Sequence, residues 1–81
     1  MRAVLRERAI VALASAPVNV RRAFEKQLRF LMNDLQHPSL HAKKYDERRD
    51  LWQARVNRSW RFYFTIVEDT YWIEEVMRHP R

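Results

Sequence analysis

The side chains of this chain that could do chemistry are arginines, lysines, a tyrosine and a histidine, and they gather around Leu51–Val67, LWQARVNRSWRFYFTIV. Here Trp52, Ala54 and Val56 alternate with polar neighbours, and Trp60, Phe62, Phe64 and Ile66 repeat the pattern. Such alternation marks half-buried strands. For both apolar sets to share a face, Val56 must pair with Trp60 across an odd loop, Asn57-Arg58-Ser59. Asn57 is the residue expected to tolerate φ > 0 there, since no glycine is at hand. Gln53, Arg55, Arg61, Tyr63 and Thr65 then share the opposite face. A cationic, hydrogen-bonding surface on a rigid sheet suits phosphate recognition. The same residues also fit an ordinary solvated sheet face.

RNA cleavage is the chemistry such a face could support with least machinery. The substrate's own 2′-hydroxyl is the nucleophile. The protein must align it, remove its proton, stabilise the crowded anionic phosphate and protonate the leaving oxygen. Clustered arginines and lysines would supply the electrostatics, and Tyr63 or His79 could move a proton or stack on a base. Other chemistries fit poorly. His37, His41 and His79 are widely spaced and form no metal-ligand pattern, so no metal and no cofactor is expected. Glu74 and Glu75, read along one strand, point to opposite faces, and Glu74 is expected to pair with an arginine.

Two helices and a short meander must hold this face in place. Arg2 to Ala14 has no breaker and mixes helix formers with charges, which predicts a first helix with Leu5, Ala9, Ala12 and Leu13 loosely on one side. Pro17 opens a second, over Val18–Gln36, where Val20, Phe24, Leu28, Leu31 and Leu35 recur with a 3.6-residue period and read as core. His37-Pro38 ends it. Ser39 to Asp50 shows no periodicity and reads as an irregular lead-in. Beyond the hairpin, Glu68-Asp69 turns the chain into a third strand, Thr70–Met77. Pairing Val67 with Thr70 would bury Tyr71, Ile73, Met77 and an awkward Glu75. Trp72, Glu74, Val76 and Arg78 would join the face of Arg61 and Tyr63. The expected architecture is α+β, one domain over residues 1–81, with two N-terminal helices packed on a small antiparallel meander.

Composition narrows the function further. Sixteen Lys+Arg against ten Asp+Glu give a formal charge of +6 and a pI near 10.5, so nucleic acid or another acidic partner is plausible. Between Lys43 and Arg61, seven basic residues face three acidic ones, so +4 of that charge sits in one segment. Without glycine there can be no glycine-rich phosphate loop, dinucleotide fingerprint or nucleophile elbow. Without cysteine there can be no disulfide, and a cytoplasmic setting is expected. No apolar run approaches the ~18 residues of a membrane helix.

Several short motifs resemble the RelE/ParE superfamily of bacterial toxin–antitoxin toxins. They are Leu28–Leu35 followed by His37-Pro38-Ser39-Leu40, the pair Lys43-Lys44, Leu51-Trp52-Gln53-Ala54-Arg55-Val56, Trp60-Arg61-Phe62-Tyr63-Phe64, and Met77-Arg78-His79. The resemblance runs from about Pro17 to the end. It implies the toxin of a toxin–antitoxin pair, a metal-free endoribonuclease that cuts mRNA on the ribosome and arrests translation. By that likeness Arg55 would stabilise the phosphate, Lys43 and Lys44 would contact the RNA backbone or help proton transfer, and Arg78 and His79 would occupy the terminal acid or phosphate-ligand position. Arg61 matches an arginine that is as often structural, with Glu74 to hold it. Catalysis is thus expected from Arg55, Arg78, His79 and Lys44, and RNA contact from Lys43, Arg48, Arg49, Arg58, Arg61 and Tyr63.

The resemblance also implies partners: mRNA, the ribosome and a cognate antitoxin with an acidic segment, for which Trp52, Phe62 and the helices would be apolar anchors. The other branch of the superfamily inhibits DNA gyrase without being an enzyme, and an inactive RNA-binding module of the same fold is a third reading. The chain departs from the family pattern in lacking a glycine before the hairpin and in having Pro80 where a tyrosine is usual. The strand that precedes the helices in that family is not evident before Arg2, which leaves open that it is missing. An edge exposed by its loss would favour a homodimer or a larger toxin–antitoxin assembly.

Overall fold

The computed structural model describes residues 1–79, and Pro80 lies outside them. Five strands, β1 (Arg2–Leu5), β2 (Lys43–Asp46), β3 (Leu51–Arg55), β4 (Trp60–Val67) and β5 (Thr70–Arg78), form one sheet in the order β1-β5-β4-β3-β2. Helices α1 (Glu7–Ser15) and α2 (Val18–Asn33) cover one face, and a single 3₁₀ turn, Pro38–Leu40, leads into β2. The α+β architecture expected from the sequence is present.

The expected first helix is divided. Arg2–Leu5 is a strand paired parallel to β5, with Ala3 beside Tyr71 and Leu5 beside Ile73, and only from Glu7 is the backbone helical. The opening strand is therefore in place. Intrinsic helix preference over four residues is a few tenths of a kcal/mol each. A row of ladder hydrogen bonds to the otherwise open edge of β5 outweighs it.

The central hairpin has the predicted register. Ala54 lies opposite Phe62 and Trp52 opposite Phe64, which extends to Val56 beside Trp60, whose carbonyl accepts from the Val56 and Asn57 amides. The loop reaches this geometry differently from expectation. Positive φ occurs at His41, Asp50 and Glu68 but not at Asn57. Instead Asn57 Oδ1 accepts from the amides of Ser59 and Trp60, both at 2.9 Å, closing the turn with its side chain.

A β-bulge overturns the expected faces of β5. Phe64 pairs with Ile73, but Tyr63 pairs with Glu75, so Glu74 is an extra residue. Past it the alternation is inverted. Val76 sits opposite Phe62 in the core, Met77 opposite Arg61, and Arg78 opposite Trp60 on the helix side. The awkward carboxylate of Glu75 is thereby taken out of the core. In the lead-in expected to be irregular, Lys43–Asp46 is an edge strand with its own bulge between Lys44 and Asp46.

The core lies between this sheet and the helices. Phe62 and Phe64 are fully buried, Phe24 of α2 meets Phe62 edge-on at 5.3 Å, and Tyr71 meets Phe64 edge-on at 5.6 Å. Phe62 is thus unavailable as an anchor for a partner. Helix α2 ends at Asn33, three residues before the expected Gln36, where the Asp34 amide caps Phe30 and its carboxylate accepts from Gln36 N.

Candidate functional site

The sheet face opposite the helices carries the polar set. Arg55 ends β3 and lies directly across from Arg61 on β4, while Lys43, Gln53, Tyr63 and Glu75 form the neighbouring row across four strands. Gln53 Nε2 donates to the Tyr63 hydroxyl at 3.1 Å, and the two side chains floor the middle of the face. Below that row is a cavity of about 270 Å³ lined by His41, Lys43, Gln53, Ala54, Arg55, Arg61 and His79. Three cationic side chains and two imidazoles meet there, and none of its lining residues is acidic.

Each lining residue is placed by a different device. Arg61 is nearly buried and its Nη1 donates to the carbonyls of Asn57, Arg58 and Trp60 at 2.9, 3.3 and 3.0 Å, so it holds the hairpin loop from beneath. Burial first, and then the charge of Arg55, push its guanidinium below its ordinary range. The expected Glu74 contact is absent: Glu74 accepts from Thr65 Oγ1 at 3.0 Å and pairs with Arg6 at 3.5 Å. His79 reaches the cavity because of the β5 bulge, and its amide continues the ladder to Ser59 O at 2.7 Å. In an unbroken alternation Arg78 would face this way and His79 would not.

His41 follows the 3₁₀ turn with φ 45°, ψ 44°, a left-handed conformation that a β-carbon disfavours by ~1 kcal/mol or more. Such a position persists only when neighbours hold it. The neighbour here is Gln27 of α2, only 2% exposed. Its Nε2 donates to Ser39 O at 3.0 Å and Arg55 O at 2.9 Å, and its Oε1 accepts from Ser39 Oγ at 2.9 Å. One buried amide therefore ties the His41 turn to the end of the Arg55 strand. Its place within the α2 stripe disguised it in the sequence as an ordinary polar residue.

The remaining sequence candidates lie elsewhere. Lys44 is on the helix side, 5.2 Å over the Trp52 ring and paired with Asp50 at 2.6 Å, a bond that raises its pKa. Arg78, opposite Trp60, does not line the cavity. Arg48 and Arg49 sit in the β2–β3 turn, where Arg49 Nε bonds Asp46 at 2.8 Å and holds that carboxyl below the ordinary carboxylate range. Arg58 borders an adjoining cavity with Lys26, Ser39, His41 and Arg55, extending the basic surface onto α2. Tyr63 is buried, whereas its neighbour Tyr45, which sequence reasoning passed over, is exposed. Among the described residues no three His, Asp or Glu side chains are grouped as a metal site, and no helix is long and apolar enough to cross a membrane.

No protein-family model matches the sequence, and no curated protein matches it. Solved structures do match in fold. A YoeB/ParE toxin from Agrobacterium tumefaciens superposes with a TM-score of 0.82 at 9% identity, covering 99% of this chain and 100% of that one. RelE in the archaeal RelE–RelB complex from Pyrococcus horikoshii OT3 gives 0.81 at 19% identity, over 99% and 96%. The intact RelBE toxin–antitoxin complex of E. coli gives 0.74 at 14%, over 99% and 98%. The fold is that of the RelE/ParE toxins, as the sequence motifs implied.

Proposed function

From the fold shared with these toxins, we propose that the chain is the toxin of a toxin–antitoxin pair and a metal-free endoribonuclease that cleaves mRNA on the ribosome. The observation that carries this reading is the convergence of His41, Lys43, Arg55, Arg61 and His79 on one cavity without a carboxylate. A phosphodiester lying there meets cations on several sides, which is what the doubly charged, crowded phosphorane of the transition state requires.

In this reading the 2′-oxygen attacks the adjacent phosphorus as the bond to the 5′-oxygen breaks. The products are a 2′,3′-cyclic phosphate and a free 5′-hydroxyl. One imidazole of the pair His41 and His79 takes the 2′-hydroxyl proton, and the other gives a proton to the leaving 5′-oxygen. Imidazole suits both roles near neutral pH. Arg55 and Lys43 bind the non-bridging oxygens, with Arg55 as the main electrostatic stabiliser. Arg61 holds the loop and adds positive field from below. Lys44 and Arg78 take no direct part.

The partner is an antitoxin whose acidic segment covers the basic face, folding as it binds. RelE and YoeB neighbours are complexed with RelB and YefM. On the helix side, away from that charge, a mainly apolar cleft lined by Leu5, Leu13, Phe24 and Leu28 together with Arg21 and Glu25 offers a second anchorage, so a complex that reaches both should survive moderate salt. Action on translating mRNA places the protein in the cytoplasm.

Primer extension on a defined mRNA tests the proposal, comparing translating ribosomes, naked RNA and Arg55→Ala. Cuts that need ribosomes and vanish in the variant support it. No cleavage from folded protein under any condition refutes it, and supercoiling by DNA gyrase would then be assayed. RNA binding without cleavage, indifferent to His79→Ala, would leave only a binding module.

A further inference from the structure

Beside the phosphate cavity, on the same sheet face, lies a second feature of different chemistry. Tyr45 is 56% exposed although it is an aromatic residue on a strand. Its ring meets that of Tyr63 at 5.0 Å and 67°, so Tyr63 fixes its position while its outer face stays open. Together with Glu75, Leu51, Arg49 and Met77 these rings enclose a cavity of about 140 Å³. A larger one of about 300 Å³ continues past Glu75, Arg49 and Leu51 toward Glu74.

Both key side chains owe their place to bulges. Tyr45 is at the β2 irregularity, and Glu75 reaches this face only because Glu74 is inserted in β5. Bulges of this kind re-aim side chains beside functional sites. Arg8 bonds Glu75 through Oε1 at 3.2 Å and steadies the carboxylate, yet Arg8 is itself largely exposed and leaves acceptor capacity on both oxygens. With Glu75 matched by Arg49, this aromatic cavity lacks the cationic surplus of its neighbour and is poorly suited to a second phosphate. It fits the uncharged part of a nucleotide.

We propose that Tyr45 and Glu75 form a nucleobase subsite, selective for guanine, next to the phosphate cavity. The spacing fits. Glu75 shares the row of Gln53 and Tyr63, two residues along the strands from that of Arg55 and Arg61, or about 6.8 Å, close to the reach from a nucleotide's phosphate to its base, and Tyr45 lies farther out on β2, past Lys43 of that row. Tyr45 stacks on the base, and Glu75 reads its edge. Of the four bases only guanine presents two adjacent donors, N1–H and the N2 amino group, which match the two oxygens of a carboxylate. Adenine and cytosine pair one donor with an acceptor, and uracil flanks its N–H with two carbonyls. Both acceptors would oppose Glu75.

This rests on the ribonuclease reading for its biological meaning but not for its test. The full chain is titrated, by NMR, with inorganic phosphate and with guanosine, adenosine and uridine 3′-monophosphates, which carry the phosphate where cleavage would leave it. Guanosine 3′-monophosphate is expected to bind roughly tenfold tighter than phosphate alone, the scale of one base–aromatic stack. Tyr45→Ala should abolish that gain and leave phosphate affinity unchanged, while Tyr45→Phe keeps it. Glu75→Gln should erase the preference for guanine over adenine but retain the gain from stacking.

A nucleotide that binds no better than phosphate overturns the subsite, as does a gain indifferent to Tyr45→Ala. Adenosine preferred over guanosine overturns the assignment of Glu75. RNA cleavage with no base discrimination would strike the subsite alone. Tyr45-dependent guanine binding by a protein that cleaves nothing would strike the ribonuclease reading alone.

Discussion

Replacing Gln27 with methionine, a side chain of similar length, should destabilise the fold and disable the site at once. Gln27 makes three hydrogen bonds from a buried position, two of them to the backbone carbonyls of Ser39 and Arg55. Leaving a buried polar group unpaired costs ~1–3 kcal/mol. Ser39 and Arg55 themselves lie near solvent, so water recovers part of that penalty, and the total comes to about 2–4 kcal/mol. For a domain of this size that is a fall in Tm of roughly 10–25 °C, out of a total stability of about 4–12 kcal/mol. Urea unfolding followed by tryptophan fluorescence measures the loss. Cleavage measured where the variant is still mostly folded then separates stability from function. Activity should fall well below the folded fraction, because His41 and Arg55 lose their common anchor. A loss under about 1 kcal/mol, or cleavage that simply tracks the folded fraction, would refute the positioning role.

Two further predictions follow from the same geometry. His79→Ala should lower cleavage by about 10²-fold or more, as loss of a proton-transfer group does, whereas Arg78→Ala should leave it within a few-fold; equal losses would contradict the bulged register of β5. Asp46→Asn probes the β2–β3 turn, where Arg49 holds the carboxyl below its ordinary pKa of 3.8. Because the folded pKa is the lower one, the stabilisation is complete above the unfolded value and disappears as pH falls through the folded one. Wild type should therefore exceed the variant at pH 7, most at low salt, and urea curves should converge below pH 3.8; a difference that persists in acid would assign the effect to something other than charge.

The hairpin shows how far sequence reasoning reaches. Trp52 to Ile66 alternate so regularly that face, register and loop length all follow from the need to bury one aromatic row. The same logic placed Gln53, Arg55, Arg61 and Tyr63 on one outer surface. It also recognised the α2 stripe, although not that Gln27 within it is buried and bonded to the site. Thr70–Arg78 reads as an equally regular strand, and there the inference failed, since nothing in TYWIEEVMR announces which residue is extra. The bulge at Glu74 lets Val76 meet Phe62 in the core and releases Glu75 to the surface. That gain exists only once β4 is alongside.

What the amino-acid sequence determined by itself is what depends on neighbours a few residues away: the period of α2, the alternation of β3 and β4, the turns and the surplus of positive charge. Tertiary structure alone decided the rest. Arg2–Leu5 became a strand because β5 offered an open edge, and His79 joined Arg55 because a bulge inverted the last four residues of its strand. His41 reached the same cavity because a buried glutamine holds its turn against Arg55. Each of these depends on contacts between segments distant in the chain. Their energies outweigh local preferences of a few tenths of a kcal/mol per residue and leave no periodic trace in the sequence.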